Sequence, residues 1–386
     1  MPVFVFRGNR ITPQSGSPVT FDLGDIDLAL KNEWDLQLTL FTGRRLTLRQ
    51  FGSAFDRMVG EFIAAWRDRT VRCMVLEDLE PVGTYTGVAG AADLEPAEIR
   101  IFKSNIAILP LASTPYQWRL AAVDGLSFDD ASYTITLRSS DQQLRIGKLA
   151  KKTDELRDKL QTQYDAIRQQ SAEAMHSTFL FLDPDHLEQL LAAMPEARSV
   201  SLGRLSAIDP ELADAMIARA VSESLRPYFD VLKKRALTQD SVMCGYKFIR
   251  PDEVEESDAP QDPDQPPLFF WFFFPLAGGV AAWEASTGGG RATYFFRVDG
   301  SQPEASIAKL TNGLALVNFR REPVYLSDTS LAQQKEFHRY AIGARKLPEL
   351  RALRGAFIGR AMHSDVEKWT AQMDVILAKT GVANLP

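Results

Sequence analysis

Two alternating strands followed by one amphipathic helix occur in residues 118–164, and this pattern restricts the possible folds of the chain more than any other feature. Apolar residues alternate with polar ones in two short runs separated by a turn, as in a β-hairpin that buries one face. After Gly147 mostly apolar residues recur at spacings of three and four, which predicts a helix with one buried face. The positions are Tyr133, Ile135 and Leu137, then Leu144 and Ile146, then Leu149, Thr153, Leu156, Leu160 and Tyr164. The sequence therefore predicts a small sheet closed by a C-terminal helix.

The same pattern occurs once before, in residues 21–66. The matching positions are Leu36, Leu38 and Leu40 for the first strand, Leu46 and Leu48 for the second, and Phe51, Met58 and Phe62 for the helix. The register differs by one residue across the turn, where insertions are tolerated better than in strands. We interpret the two segments as an internal duplication of a whole domain, because the repeat is far longer than a solenoid unit.

A hairpin followed by a single closing helix, which begins at Phe51-Gly52 in one copy and at Leu149-Ala150 in the other, resembles the pleckstrin-homology-like (PH-like) domains of bacterial proteins. The resemblance covers residues 1–170 as two copies. It implies barrels of seven strands, each capped by the helix, that bind phosphoinositide head groups, peptides or other proteins. Lipid-binding members usually carry a basic cluster between the first two strands. The basic residues in that region of the two copies are Arg7 and Arg10, and Arg100 and Lys103.

Length, charge and cysteine content exclude several classes of protein. A chain of 386 residues with 45% hydrophobic residues has room for two to four packed domains. The net charge of −6 and the isoelectric point near 5.5 disfavour nucleic acid as a partner. Cys73 and Cys244 lack the paired spacing of a disulfide framework or a zinc site, so we expect free thiols in a cytoplasmic protein. The first residues, MPVFVFRGNRITP, have no basic region followed by a long apolar run, and no secretory signal is expected.

Four domains of an α+β protein are predicted. Residues 1–75 and 76–175 are the two PH-like domains, residues 176–238 are a helical connector, and residues 239–386 are a C-terminal domain with an antiparallel sheet and helices. In the connector, Asp183-Pro184 and Asp209-Pro210 each combine a capping carboxylate with a proline and predict helix starts. The acidic, proline-rich residues 251–267 predict a solvated loop. Near the C-terminus, helices are predicted from Ser327 through Ile342 and over Leu350 to Leu377.

The most apolar segment of the chain is LFFWFFFPLAGGVAAW, residues 268–283. As one helix it would span about 24 Å, less than the roughly 30 Å of a bilayer core, and Pro275 interrupts it. We predict instead two strands joined at Gly278-Gly279 and a third strand, Ala292 to Val298, after Gly288-Gly289-Gly290. The first strand is apolar on both faces, so helices of the same chain or a partner must cover it. Its candidate interaction residues are Phe269, Phe270, Trp271, Phe272, Phe273 and Phe274.

Few residues of the sequence are candidates for a catalytic, metal-binding or ligand-binding site. No two of the four histidines have a metal-ligand spacing on one helix face, and His186 is best explained as a first-turn residue beside capping carboxylates. The three glycines at 288–290 lead into a strand, whereas a phosphate loop leads into a helix. We therefore predict no catalytic set, no metal site and no cofactor. The candidate site for an anionic ligand lies where the helix of the second copy begins, at Arg145, Lys148, Lys151 and Lys152.

Three functions follow from these observations, in order of weight. The first is a non-enzymatic scaffold or adaptor that binds other proteins, or a second copy of itself, through the barrels and the aromatic sheet. The second is a peripheral module that binds anionic lipid at a membrane surface through the basic cluster. The third is an enzyme whose site is assembled across domains. Nucleic acid is not an expected partner of any of them.

Overall fold

The computed structural model describes residues 4–7, 10–13, 21–49, 51–74, 80–139, 142–248, 268–285 and 292–379. The loop predicted over 251–267 and the turn predicted at Gly288-Gly289-Gly290 lie outside the described residues. The chain belongs to the predicted α+β class. It divides into unit 1, Met1–Asp165 with Leu326–Pro348, and unit 2, Ala166–Tyr325 with Glu349–Pro386. This division is coarser than the four predicted domains, whose boundaries stay predictions.

In the part of the chain that the structure describes, the first copy of the repeat forms two three-stranded antiparallel sheets and a closing helix. The helix packs on the second sheet as predicted, and Trp66 donates its indole N–H to the carbonyl of Ile26 at 3.1 Å. The sheet orders are β1-β2-β3 and β4-β5-β6, and the bounds follow. They are β1 (Phe4–Arg7), β2 (Arg10–Pro13), β3 (Phe21–Asp22), β4 (Ile26–Lys31), β5 (Asp35–Leu40), β6 (Arg45–Arg49) and α1 (Phe55–Met74).

The second copy forms one seven-stranded antiparallel sheet in the order β10-β9-β8-β7-β13-β12-β11. β7 therefore joins the two halves of the sheet, and the outer strands β10 and β11 are not paired with each other. The predicted closed barrels are not confirmed. The elements are β7 (Gly83–Gly90), β8 (Glu95–Ile101), β9 (Asn105–Pro110), β10 (Tyr116–Arg119), β11 (Gly125–Asp129), β12 (Thr134–Ser139), β13 (Gln142–Gly147) and α2 (Thr153–Thr178).

Both closing helices begin with the same backbone conformation. A short 3-10 turn precedes each one, at Gly52–Ala54 and at Ala150–Lys152. The first residue of each turn is left-handed, with φ of +57° at Gly52 and +51° at Ala150. A positive φ is common for glycine but uncommon for a residue such as Ala150, and the shared conformation at matching positions is consistent with the interpretation of a duplication. Tyr133 departs from that interpretation, because it is exposed and precedes β12 instead of lying within it.

A network of ion pairs connects the two copies within unit 1. Glu98 of β8 accepts from Arg67 of α1 at 3.0 Å and from Arg100 at 2.6 Å, and Arg100 also donates to Asp68 at 2.7 Å. The side chains of Glu98 and both arginines are largely buried. Because buried charges are costly unless they are paired, the network favours one defined contact between α1 and β8.

The rest of the chain contains ten helices and six strands among the described residues. They are α3 (Pro184–Ala193), β14 (Ser199–Ser201), α4 (Leu202–Ile208), α5 (Leu212–Ala220), α6 (Arg226–Arg235), β15 (Met243–Phe248), β16 (Leu268–Leu276), β17 (Val280–Ala285), β18 (Ala292–Arg297), α7 (Pro303–Leu316), α8 (Glu322–Tyr325), α9 (Asp328–Gln333), α10 (His338–Lys346), α11 (Pro348–Ala356), β19 (Phe357–Met362) and α12 (Val366–Ala378). No described helix is both long and apolar enough to cross a membrane.

Unit 2 is built on a six-stranded antiparallel sheet in the order β14-β15-β16-β17-β18-β19. The predicted hairpin at Gly278-Gly279 is present, and both glycines have the positive φ that a two-residue turn requires. On one face of β16, Phe229 of α6 lies 4.9 Å from Phe272 between ring centroids, and on the other face Phe319 lies 4.0 Å from Trp271. The strand is thus covered on both sides by its own chain, as its composition requires.

This burial removes the predicted aromatic interaction surface. All six side chains from Phe269 to Phe274 are buried, so they present no surface to a partner in this conformation. Phe270, Phe272 and Phe274 pack in one core cluster with helices of the predicted connector such as α5 and α6.

Two of the helices predicted near the C-terminus are wrong in extent. The helix predicted over Leu350 to Leu377 is interrupted by β19, which pairs with β18 at the edge of the sheet. A free strand edge provides backbone partners that local propensity does not anticipate, and Gly355 and Gly359 weaken a helix there. The helix predicted from Ser327 starts at that cap as expected but is divided into α9 and α10.

α10 packs on the first copy of the repeat, within unit 1. The ammonium group of Lys346 is buried and donates to the carbonyl of Ile26 at 2.8 Å. Arg345 pairs with Asp25 at 2.7 Å. Ile342 lies so close to Gly24 that a Cβ on that glycine would be 2.6 Å from its methyl group. α10 is therefore fitted closely against the start of β4.

Candidate functional site

The outer edge of β6 is the candidate site. Leu40 donates its backbone N–H to the carbonyl of Arg44 at 2.8 Å, and hydrogen-bonded pairs alternate along antiparallel strands. Leu46 and Leu48 therefore direct their backbone groups toward β5. Arg45, Thr47 and Arg49 direct theirs outward, and among the described residues β6 pairs with β5 alone.

The same edge is occupied in the second copy. β13, the counterpart of β6, pairs with β12 on one side and with β7 on the other. On the β7 side the register places Arg145 opposite Gly90 and Gly147 opposite Val88. Within the described chain, the first copy has no strand equivalent to β7 beside β6.

The apolar side chains beside this edge differ in the same way. In the second copy Leu144, Ile146, Leu149 and Leu156 are 1%, 0%, 4% and 0% exposed. Their counterparts Leu46, Leu48 and Phe51 are only partly buried, and Met58 is 46% exposed. Partly exposed apolar side chains thus lie along β6 and at the start of α1. We call β6 together with Phe51 and Met58 the open edge.

Direct contacts show why β7 protects those residues in the second copy. Gly87 approaches Leu149 so closely that an added Cβ would be 2.8 Å from the leucine side chain. Tyr85 is buried and donates its hydroxyl to Glu155 of α2 at 3.1 Å. Burial is the main cause that raises the pKa of Tyr85, and the ammonium of Lys159 is the main cause that lowers the pKa of Glu155. β7 therefore packs on both the sheet and the helix.

The open edge is basic. Arg44, Arg45 and Arg49 are exposed, and Arg49 makes a 3.3 Å contact with Asp35. Exposed charges on an unpaired strand also have a simple protective role, because they discourage edge-to-edge aggregation. That role accounts for the arginines but not for the four apolar side chains that remain partly exposed beside them.

The predicted anionic-ligand cluster lies elsewhere in unit 1. Lys148, Lys151 and Lys152 are exposed around the start of α2, and Arg145 is half-buried on β13. Asp154 and Glu155 occupy the first turn of the same helix and reduce the positive potential of the cluster. As a ligand site the cluster stays a prediction.

Unit 2 contains a buried polar cluster that sequence reasoning missed. Glu284 on β17 is fully buried, and its Oε2 accepts from Thr293 at 2.6 Å and lies 3.2 Å from Nε2 of His363. Its Oε1 has no partner within the described residues. Tyr228 stacks on His363 with centroids 4.1 Å apart. An acid in the otherwise apolar run VAAWEA is the sequence signal that could have located the cluster.

The hydrogen bonds of this cluster connect different strands and helices of unit 2. Thr293 gives its proton to Glu284 and accepts the indole N–H of Trp369 at 3.0 Å, so its oxygen is not poised as a nucleophile. Tyr228 donates to the carbonyl of Ser364 at 2.8 Å, and burial is the largest cause that raises its pKa. The contacts hold the ends of β17, β18 and β19 against α12.

The remaining candidates for chemistry are a helix cap beside His186 and the two cysteines. Asp183 caps α3 by accepting the backbone N–H of His186 at 2.8 Å. Cys73 and Cys244 are free and buried, and burial raises both pKa values, that of Cys73 to about 11. In the described parts of the chain no group of His, Cys, Asp and Glu side chains is placed to hold a metal ion.

Comparison with known proteins adds no family. No protein-family model matches this chain, and no curated protein matches it in sequence. Function is therefore inferred from the geometry of the chain itself, and the PH-like resemblance stays a prediction.

Proposed function

We propose that this chain is a non-enzymatic adaptor that binds another protein by adding a strand of that protein to the open edge of β6. One observation carries the proposal: the edge of β13 is covered by β7, whereas the equivalent edge of β6 has no strand beside it among the described residues. Strand addition to a free sheet edge is a general mode of peptide recognition, in which backbone hydrogen bonds supply affinity and side-chain pockets supply specificity.

The open edge provides both parts of such a site. Arg45, Thr47 and Arg49 offer outward N–H and C=O groups to an incoming backbone. The partly exposed apolar side chains beside them offer surface that an inward side chain of the partner would bury. A short extended segment loses conformational freedom on binding, so we expect a dissociation constant on the order of 10 μM.

The PH-like resemblance supports the proposal, since its members include protein-binding domains. In the second copy the pairing of β7 with β13 joins a four-stranded part of the sheet to a three-stranded part, and α2 follows in the chain. We propose on this basis that both copies are PH-like domains and that, among the described residues, β6 of the first copy has no counterpart of β7 beside it.

A peptide from the chain itself provides the test. A fluorescent peptide of residues 81–92, PVGTYTGVAGAA, contains β7 and serves as a surrogate for the partner strand. Titration into the full chain should show saturable binding. Hydrogen exchange should then show new protection of Arg45–Arg49 and no change over Gln142–Gly147.

Matched variants at one position separate strand addition from other binding. Thr47→Pro removes an outward N–H and should abolish binding, whereas Thr47→Val keeps that N–H and should bind normally. Proline is tolerated on the free side of an edge strand, and a thermal melt checks that the variant is folded. Equal binding by both variants, protection away from β6, or no binding at all would refute the proposal. Preferential binding to anionic phosphatidylserine vesicles instead would favour the lipid-binding alternative.

A further inference from the structure

Resting on the proposed strand addition, we infer that the partner segment is acidic, runs antiparallel to β6, and presents an aromatic residue, a glycine and a small residue at alternate positions on its inner face. β7 is the template for this inference, because it fills the equivalent place in the second copy. The requirements follow from the contacts of β7 and from the residues that differ between the two copies.

The inner face of β7 is fixed by its register. Ala89 lies opposite Ile146, which is fully buried, so Ala89 faces the core. Side chains alternate along a strand, and Gly87 and Tyr85 therefore share that inner face. Tyr85 reaches the first turns of α2, while Gly87 leaves room for the carbonyl of Gly147, which would be only 2.6 Å from an added Cβ. The pattern is aromatic, glycine, small, with one residue between each.

The same spacing is required at the open edge. Phe51 occupies the place of Leu149, the side chain that Gly87 touches in the second copy. Phenylalanine is larger than leucine, so a glycine at the middle inner position is needed at least as much. The exposed Met58 and the half-buried Leu48 are the apolar neighbours that an aromatic side chain would cover.

The charges at matching positions of the two edges differ: arginines of the first copy replace a neutral residue and an acid, while the neutral Thr47 replaces Arg145. Arg49 replaces Gly147, the residue opposite Val88, and Arg57 replaces Glu155, the residue that receives the Tyr85 hydroxyl. The acids that face this region are Asp35, already in contact with Arg49, and the exposed Glu61. With Arg45 included, the first copy presents more positive than negative charge to the incoming strand. Opposite charges across paired strands are favourable, so an acid is expected at the position of Val88.

Charge variants of the surrogate peptide test this requirement. The peptide of residues 81–92 is compared with its Val88→Glu and Val88→Lys forms on the full chain at low salt. The glutamate peptide should bind about three- to tenfold more tightly than the lysine peptide. The difference should shrink at about 1 M salt, because exposed charges are then screened. A Gly87→Ala peptide should bind at least about tenfold more weakly, since its methyl group would clash with Phe51 as an added Cβ on Gly87 would clash with Leu149 in the second copy.

A charge reversal on the protein provides the matched control. For the Arg49→Glu variant of the protein, the lysine peptide should bind more tightly than the glutamate peptide. A general electrostatic attraction would not produce this inversion of the two affinities. If the parent peptide protects β6 but both charge variants bind equally, the acidic partner is refuted and strand addition stands. If no peptide protects β6, strand addition itself fails. A concentration-dependent dimer in sedimentation velocity that the parent peptide dissociates would also refute the acidic partner, because the occupant would then be a second copy of this chain.

Discussion

The two copies of the repeat use the same hairpin and the same left-handed start to the closing helix, but within the described residues a further strand lies beside the hairpin in the second copy alone. Leu144, Ile146, Leu149 and Leu156 are buried under β7, while the equivalent residues at the open edge remain partly exposed. Equivalent apolar residues thus reach different burial because a neighbouring strand is present in one copy. The difference shows that the same apolar pattern can be buried to different degrees when the neighbouring strands differ.

The first copy has a different addition, on the side where β4 begins. α10 inserts the buried Lys346 there, and desolvation lowers the pKa of that ammonium group to about 8. Asp25 and Asp27 oppose this shift, and Arg345 adds to it. The start of β4 in the first copy is therefore covered by α10, which is distant in sequence, whereas no described strand lies beside β6 at the open edge.

The largest contrast is expected from truncating matched helix residues. Leu156→Ala should destabilise the chain by about 2–5 kcal/mol, because it removes a fully buried side chain. Met58→Ala at the equivalent position should cost less than about 1 kcal/mol, because Met58 is already 46% exposed. Urea unfolding of both variants measures the difference, and equal losses would show that the edge beside Met58 is covered in solution.

A pH-dependent contrast is expected from Lys346. Its pKa is about 8 in the folded chain and near 10.5 when unfolded, so between these values the unfolded chain binds a proton that the folded chain lacks. Stability should therefore rise with pH over this window, by up to about 3 kcal/mol. The Lys346→Met variant should not show this rise of stability with pH.

The control for this prediction lies in the same site. The raised pKa of Cys73 has the opposite effect, since the folded chain keeps a proton that the unfolded chain loses between about pH 9 and 11. Cys73 is present in both proteins, and the comparison of wild type with Lys346→Met removes most of its contribution. If the free energies of unfolding of wild type and Lys346→Met change in parallel from pH 7.5 to 10, Lys346 does not lose its proton in the folded chain over this range.

Hydrogen exchange should distinguish the two edges without any mutation. The outward amides of Thr47 and Arg49 should exchange at least about tenfold faster than those of Arg145 and Gly147, because among the described strands a partner faces the latter pair and none faces the former. Peptide-resolved exchange of the full chain checks this. Similar protection of the two strands would mean that β6 is already occupied.

The smallest effect is expected from exchanging the left-handed residues. Gly52→Ala should destabilise by about 1 kcal/mol, since its φ is positive although no atom would touch the new methyl group. Ala150→Gly should instead stabilise by about 0.5 kcal/mol by relieving the same strain. Thermal melts measure both changes, and changes of the same sign would contradict an equivalent backbone in the two copies.

The sequence predicted features that depend on local chemistry. The hairpin at Gly278-Gly279 and the caps at Asp183 and Ser327 were predicted because their residues satisfy a turn or a helix terminus without distant help. The prediction failed at β19, where a strand edge far away in sequence converted a helical pattern into a strand. Glu284 was missed because its partners Thr293 and His363 come from different strands and a loop.

The sequence by itself determined that two segments of this chain carry the same hairpin and closing helix, since the spacing of apolar residues dictates which face each element buries. It also determined that the strand of six consecutive aromatic residues must be covered on both sides. Only the tertiary structure decided that helices of the same chain provide that cover, and that β7 lies beside one hairpin but not the other. Strand pairing joins residues that are distant in the chain, and the backbone groups that form it are the same in every residue, so the side-chain pattern does not specify which edge is left free.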